Sequence, residues 1–103
     1  MRKMIMEFTY YPYTEKNVEK VEKRWGVYKL ADSLKKVVFI GRGNVKKHLP
    51  KHLPDGPRPA EGVEFFSIEY FDTGEEALNS WEEQMNNYYK RFGRYPKYNQ
   101  PLQ

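Results

Sequence analysis

The chain has no cysteine and only two histidines in 103 residues. Without thiols, disulfides and thiolate zinc sites are excluded, and a reducing compartment, the cytoplasm, is the expected location. Long apolar runs are also missing. The opening segment MRKMIMEFTYYPY starts basic, but its longest apolar run is three residues. It reads neither as a signal peptide nor as a membrane span, and no membrane partner is expected. Leu, Ile and Val are sparse, whereas aromatics make up 17% of the chain, with nine tyrosines. Large rings must therefore supply much of the core. The length suits one domain with one modest core.

Charge of one sign is absent from whole segments. Residues 42–54 hold four Lys or Arg and no acid, residues 61–83 hold eight acids and no base, and residues 88–103 hold four Lys or Arg and no acid. Each block alone reads as a solvated face. Together, two basic segments around an acidic one can build a phosphate-attracting surface beside a carboxylate.

Residues 4–11 read as a short strand or an arm. Thr14 is a good N-cap, and Val18, Val21 and Trp25 follow at helical spacing, so a short helix is expected near 15–23. Residues 25–30 and 36–40 are rich in β-formers and separated by about five residues, which predicts an antiparallel hairpin. Gly41-Arg42-Gly43 is expected to end the second strand, and Asn44 to cap a helix from Val45 to Leu49 that Pro50 kinks or ends. Residues 54–62 are a loop by composition. Residues 63–71 form the clearest strand, with Phe66, Ile68 and Tyr70 on one face and apolar residues also on the other, as in a central strand.

Thr73-Gly74-Glu75-Glu76 is a capping box. The helix it opens should run to Phe92 and stop at Gly93. Its apolar stripe is Leu78, Trp81, Met85, Tyr88 or Tyr89, and Phe92; Glu82 falls beside the stripe and Glu83 out to solvent. A carboxylate at the edge of a buried face needs a basic partner, an outward reach or a cation. The expected architecture is α/β (α+β): a small, mainly antiparallel three-stranded sheet flanked by helices.

Gly26-Val27-Tyr28, a ten-residue gap and Phe39-Ile40-Gly41 resemble the paired tripeptides of the GIY-YIG nuclease superfamily. The order that follows is also similar: a short helix, a later histidine (His52), a strand, a long helix bearing Glu82, and Pro96-Lys97-Tyr98-Asn99. The resemblance covers residues 25–99, with 1–24 as an N-terminal arm and short helix and 100–103 as a tail. It implies a GIY-YIG-like fold and hydrolysis of nucleic-acid phosphodiester bonds, on DNA before RNA, with a single Mg²⁺ or Mn²⁺ on Glu82. It implies that Tyr28 orients or deprotonates water, that Gly26, Phe39 and Gly41 line the site, and that Asn99 lies close by. Phe39 stands where the family has a tyrosine and lacks its hydroxyl. His48 stands where the family has a phosphate-binding arginine, and histidine lacks the guanidinium fork. Arg42, six positions earlier, is a candidate to reach the phosphate instead.

Other readings stay open. A binding module of the same fold, without chemistry, would hold phosphates through Arg42, Lys46, Lys47, Lys51, Lys90 and Arg91, with tyrosines to stack on bases. His48 and His52 have the spacing of a zinc pair, but lack the His-Glu-x-x-His context and have Pro50 between them. A protein-interaction domain would use the aromatics of residues 8–13. A domain this small has little surface for sequence recognition, which points to a homodimer or a larger protein partner beside the nucleic acid.

Overall fold

The structure is a computed structural model and describes residues 9–99. Most of the expected N-terminal strand or arm, residues 1–8, and the tail, residues 100–103, lie outside the described residues.

Strand β1 is Tyr11–Pro12, helix α1 Glu15–Glu19, β2 Trp25–Ala31, β3 Val37–Asn44, α2 Val45–His48, β4 Phe65–Phe71 and α3 Gly74–Phe92. The sheet is antiparallel in the order β1-β4-β2-β3. Among the described residues it therefore has four strands where three were expected. The added strand is β1, which pairs Tyr11 with Phe66 and Pro12 with Phe65. Tyr13 and Val18 are buried in the same cluster as Tyr28, Leu30 and Phe66, so the described part of 1–24 belongs to the domain's own core. Helix α1 is shorter than predicted. Past Glu19 the chain tightens into i to i+3 bonds, Lys20 N–H to the Asn17 carbonyl at 3.2 Å and Val21 N–H to that of Val18 at 3.3 Å, as short helix ends do.

The β2–β3 hairpin turns on Asp32, whose Oδ1 accepts the N–H groups of Leu34 at 3.0 Å and Lys36 at 2.9 Å. Gly41-Arg42-Gly43 does not end β3. Each of the three pairs across to β2, with Tyr28, Val27 and Gly26 in turn. The glycines lie inside the strand because the rings above them leave no room for a Cβ. Strand β4 is central, as expected, but begins at Phe65 rather than Val63.

The sheet separates two cores. One face carries Tyr28, Leu30 and Phe66, covered by Val45 and Leu49. The other carries Val27 and Ile40, covered by Met85 and Trp81 of α3. Helix α3 has the bounds the sequence predicts: Thr73 and Glu76 form the capping box, and Gly93 closes the helix at φ 72°. Pro50 diverts α2 into a 3-10 turn, Leu49–His52, because proline cannot donate to the carbonyl of Lys46. Among the described residues no helix is long and apolar enough to cross a membrane.

Candidate functional site

The site grows from glycines in the hairpin. On Gly41 a Cβ would fall 2.3 Å from Cζ of Tyr28 and 2.7 Å from Phe39, so only glycine lets the Tyr28 ring lie across β3. Phe39 flanks it, ring centres 6.0 Å apart, and His52 packs on Phe39 at 4.7 Å. Tyr28 lies 3.3 Å from His52 Nε2 through its hydroxyl. The direction of that bond follows from the other ring nitrogen. His52 Nδ1 is 3.1 Å from the Arg58 carbonyl, which can only accept, so Nδ1 carries the proton and Nε2 accepts from Tyr28. Burial pushes the Tyr28 phenol well above its ordinary range. His52 is held below the ordinary histidine value, chiefly by burial and then by the charges of Arg58 and Lys51, while its bond to the Arg58 carbonyl pulls the other way. Both groups are neutral near neutral pH.

His48 sits beside this pair, over Gly43. A Cβ there would come within 2.8 Å of the imidazole, and Gly43 has φ 124°, a conformation few other residues adopt. Lys51 Nζ lies 3.2 Å from His48 Nδ1. The ammonium can only donate, so the ring's own proton is on Nε2. Burial first, then Lys51, Lys47 and Arg42, lower the His48 pKa. At neutral pH, therefore, His48 is a neutral donor among cations and not a replacement cation for an arginine. The two histidines are each engaged through ring nitrogens elsewhere, His48 by Lys51 and His52 by Tyr28 and Arg58. That is no chelating pair, and among the described residues no three His, Cys, Asp or Glu side chains converge as metal ligands.

The edge of β3 brings in the C-terminal part. Asn99 grips Ile40 by both ends: Oδ1 accepts the Ile40 N–H at 2.8 Å and Nδ2 donates to its carbonyl at 3.0 Å. Trp81 Nε1 donates to the same carbonyl at 2.8 Å. Asn99 thus does the work of a partner strand. Arg42 stacks on Trp81, its Cζ 5.3 Å from the ring centre. Leu78, Glu82, Met85 and Tyr89 share one flank of α3. Along that flank Met85 packs with Ile40, and Tyr89 packs on Tyr95 at 4.9 Å. The opposite flank faces β4, where Gln84 reaches Glu69. Glu82 is exposed, so the outward reach, not a buried partner, removes its desolvation cost. A single accessible hard carboxylate fits the way Mg²⁺ is commonly held, with substrate phosphates and water completing the shell.

The remaining residues divide. Lys47 and Lys51 stand around His48 with Arg42. Lys46 turns away and bonds the Glu19 carbonyl. Gly26 is where α2 meets the sheet, since a Cβ there would lie 2.8 Å from Val45. Lys90 and Arg91 are on the last turn of α3; Arg91 lines a cavity with Lys29, Glu69 and Glu83, apart from the histidines. Two roles are not visible in the sequence. The resemblance gives His52 only as a typical position, whereas the structure makes it the partner of Tyr28. Tyr13 donates from its hydroxyl to the Leu49 carbonyl at 2.6 Å, bracing the turn that carries both histidines. The proline at 50 was the available signal, because it disrupts the local ladder and leaves carbonyls to be met from elsewhere.

Residues 4–84, most of the chain, match the family described as "Domain of unknown function (DUF7508)". No curated protein and no solved structure matches the chain.

Proposed function

The chain belongs to the DUF7508 family, and for it we propose a metal-dependent endonuclease of GIY-YIG type, hydrolysing nucleic-acid phosphodiester bonds, in DNA before RNA. The observation that carries this reading is the Tyr28–His52 hydrogen bond set beside the His48 cluster. Arg42, Lys47 and Lys51 attract a strand through its phosphates. His48 Nε2–H donates to a phosphate oxygen as a neutral group. The high pKa of Tyr28 makes a free phenolate costly, and the pairing avoids one. As the phenol oxygen takes a proton from water, its own proton passes to His52 Nε2, and the resulting imidazolium keeps its Nδ1–H on the Arg58 carbonyl. Glu82 would hold Mg²⁺ or Mn²⁺, which when bound supplies positive charge against the phosphate.

A second reading is a nucleic-acid-binding module of the same fold with its chemistry lost. The depth of Tyr28, only 3% exposed, favours it, as do the phenylalanine at 39 and the neutral His48. Nicking of supercoiled plasmid and of branched DNA with Mg²⁺ or Mn²⁺ separates the two. The parent is expected to cleave, with Glu82→Ala slower by about 10² or more, the scale of losing one transition-state charge contact. A parent that binds the DNA but never cuts it would establish the binding module instead. A parent that neither binds nor cuts would remove both.

A further inference from the structure

A cavity of about 590 Å³ opens beside His52, walled by Tyr13, Pro59, Ala60, Val63 and Tyr98. That lies inside the ~300–1,000 Å³ usual for small-ligand sites, and its walls mix polar and apolar surface in nearly equal parts, with the rings of Tyr13, His52 and Tyr98 among them. The walls are built in advance. Arg58 N–H bonds the Lys51 carbonyl at 2.9 Å and Ala60 N–H that of His52 at 3.0 Å, closing the proline-rich loop onto the 3-10 turn. Tyr98 donates from its hydroxyl to the Glu61 carbonyl at 2.6 Å, which fixes its ring as a wall. Prolines at 54, 57 and 59 reduce the freedom of that loop.

Its surroundings are positive. The charges of Lys51 and Arg58 lie close enough to His52 to act on its ring, and Lys97 stands 5.2 Å from the centre of the Tyr98 ring. Glu61 is the one acidic side chain among the described lining residues. A slot with ring walls of mixed polarity, cations at its rim and a carboxylate acceptor matches a nucleobase, which is flat, has a phosphate tether and carries N–H donors on its edge.

We propose that this cavity is a base-binding subsite, taking the unstacked base next to the phosphate held at His48 and Lys51. The inference rests on the nucleic-acid reading above and narrows it. A base inside a duplex cannot enter the cavity, so the substrate class is single-stranded or frayed DNA, as at a branch or flap. His52 then touches both regions, with its ring in the cavity wall and its Nε2 on Tyr28.

The test is fluorescence anisotropy without metal, comparing a short oligothymidylate with an abasic oligonucleotide of the same length. The phosphates are identical, so only bases differ. The parent is expected to bind the thymidylate about tenfold or more tightly, the effect of one or two base–aromatic contacts. Ala60→Trp, which fills the slot, should erase that preference and keep the abasic affinity; Pro59→Ala, on an exposed residue, should lessen it. Equal affinity of the parent for both oligonucleotides overturns the subsite and leaves phosphate binding standing. Failure to bind either overturns the nucleic-acid reading itself.

Discussion

The two faces of the sheet are built by different means. On the α3 face, Val27, Ile40, Met85 and Trp81 pack as apolar side chains against a long, doubly capped helix. On the α2 face, rings lie over glycines, His52 is held by a hydrogen bond at each ring nitrogen and His48 by one, and a four-residue helix breaks at a proline. The first face gains stability from area and tolerates small changes of volume. The second gains position. Its groups are held where chemistry can use them, and a single methyl group is enough to displace them.

Gly41→Ala should therefore give the largest effect. The new Cβ would meet Tyr28 at 2.3 Å and Phe39 at 2.7 Å, and neither is the far end of a flexible chain. A loss of about 3 kcal/mol in urea unfolding is expected, at the upper end of ordinary overpacking, together with loss of the Tyr28–His52 bond. Unchanged stability would mean that the ring is free to move and the contrast between the faces is overstated.

Asn99→Ala comes next. It removes both bonds to Ile40 at the point where the two faces share an edge. The expected cost is about 2 kcal/mol, two hydrogen bonds of ordinary worth. Hydrogen exchange should speed up at Ile40 before it does in β2, which is paired on both sides.

Acid should separate the faces without a mutation. His48 and His52 both titrate below the ordinary histidine value in the folded chain, whereas the unfolded chain takes up those protons near about pH 6.5. Their stabilising contribution is whole above that pH and is lost as the pH falls through the folded values. The melting temperature should hold above about pH 6.5 and drop as the pH falls below it, and His52→Gln should flatten the drop. Anion binding at His48 runs the other way: a bound phosphate raises the imidazole pKa, so affinity should grow as pH falls over the range in which the fold survives.

The smallest effect belongs to the α3 face. Thr73→Ala removes the capping-box acceptor for the Glu76 N–H, a 3.1 Å bond. It should cost about 1 kcal/mol and leave oligonucleotide affinity unchanged. A change in affinity would show that the helix end is coupled to the basic face.

Legibility in the sequence followed the same division. The hairpin, β4 and α3 could be read because each is written in local signals: β-branched runs, a capping box, a stop glycine. The fourth strand is legible only as a short strand or an arm over residues 4–11 and not as a member of the sheet, because two residues, Tyr11 and Pro12, have no periodicity of their own and exist as a strand only against Phe65 and Phe66. The continuation of β3 through Gly41 and Gly43 was hidden as well. In isolation those glycines look like a break, whereas in the sheet they are the space the rings require.

Within the candidate site, Tyr28, Arg42, His48, Glu82 and Asn99 could be named from the chain, but not what each does there. Asn99 serves an edge strand, Lys46 serves α1, and Arg91 faces another cavity. By itself the sequence determined one domain, the hairpin, the bounds of α3 and a segregation of charge, because propensity, capping and composition act within a few residues. Only the tertiary structure decided that His52 would meet Tyr28, 24 positions away, and that Tyr13 would brace the turn between the histidines. Those contacts depend on ring positions that the packing of distant residues sets, and no local pattern encodes them.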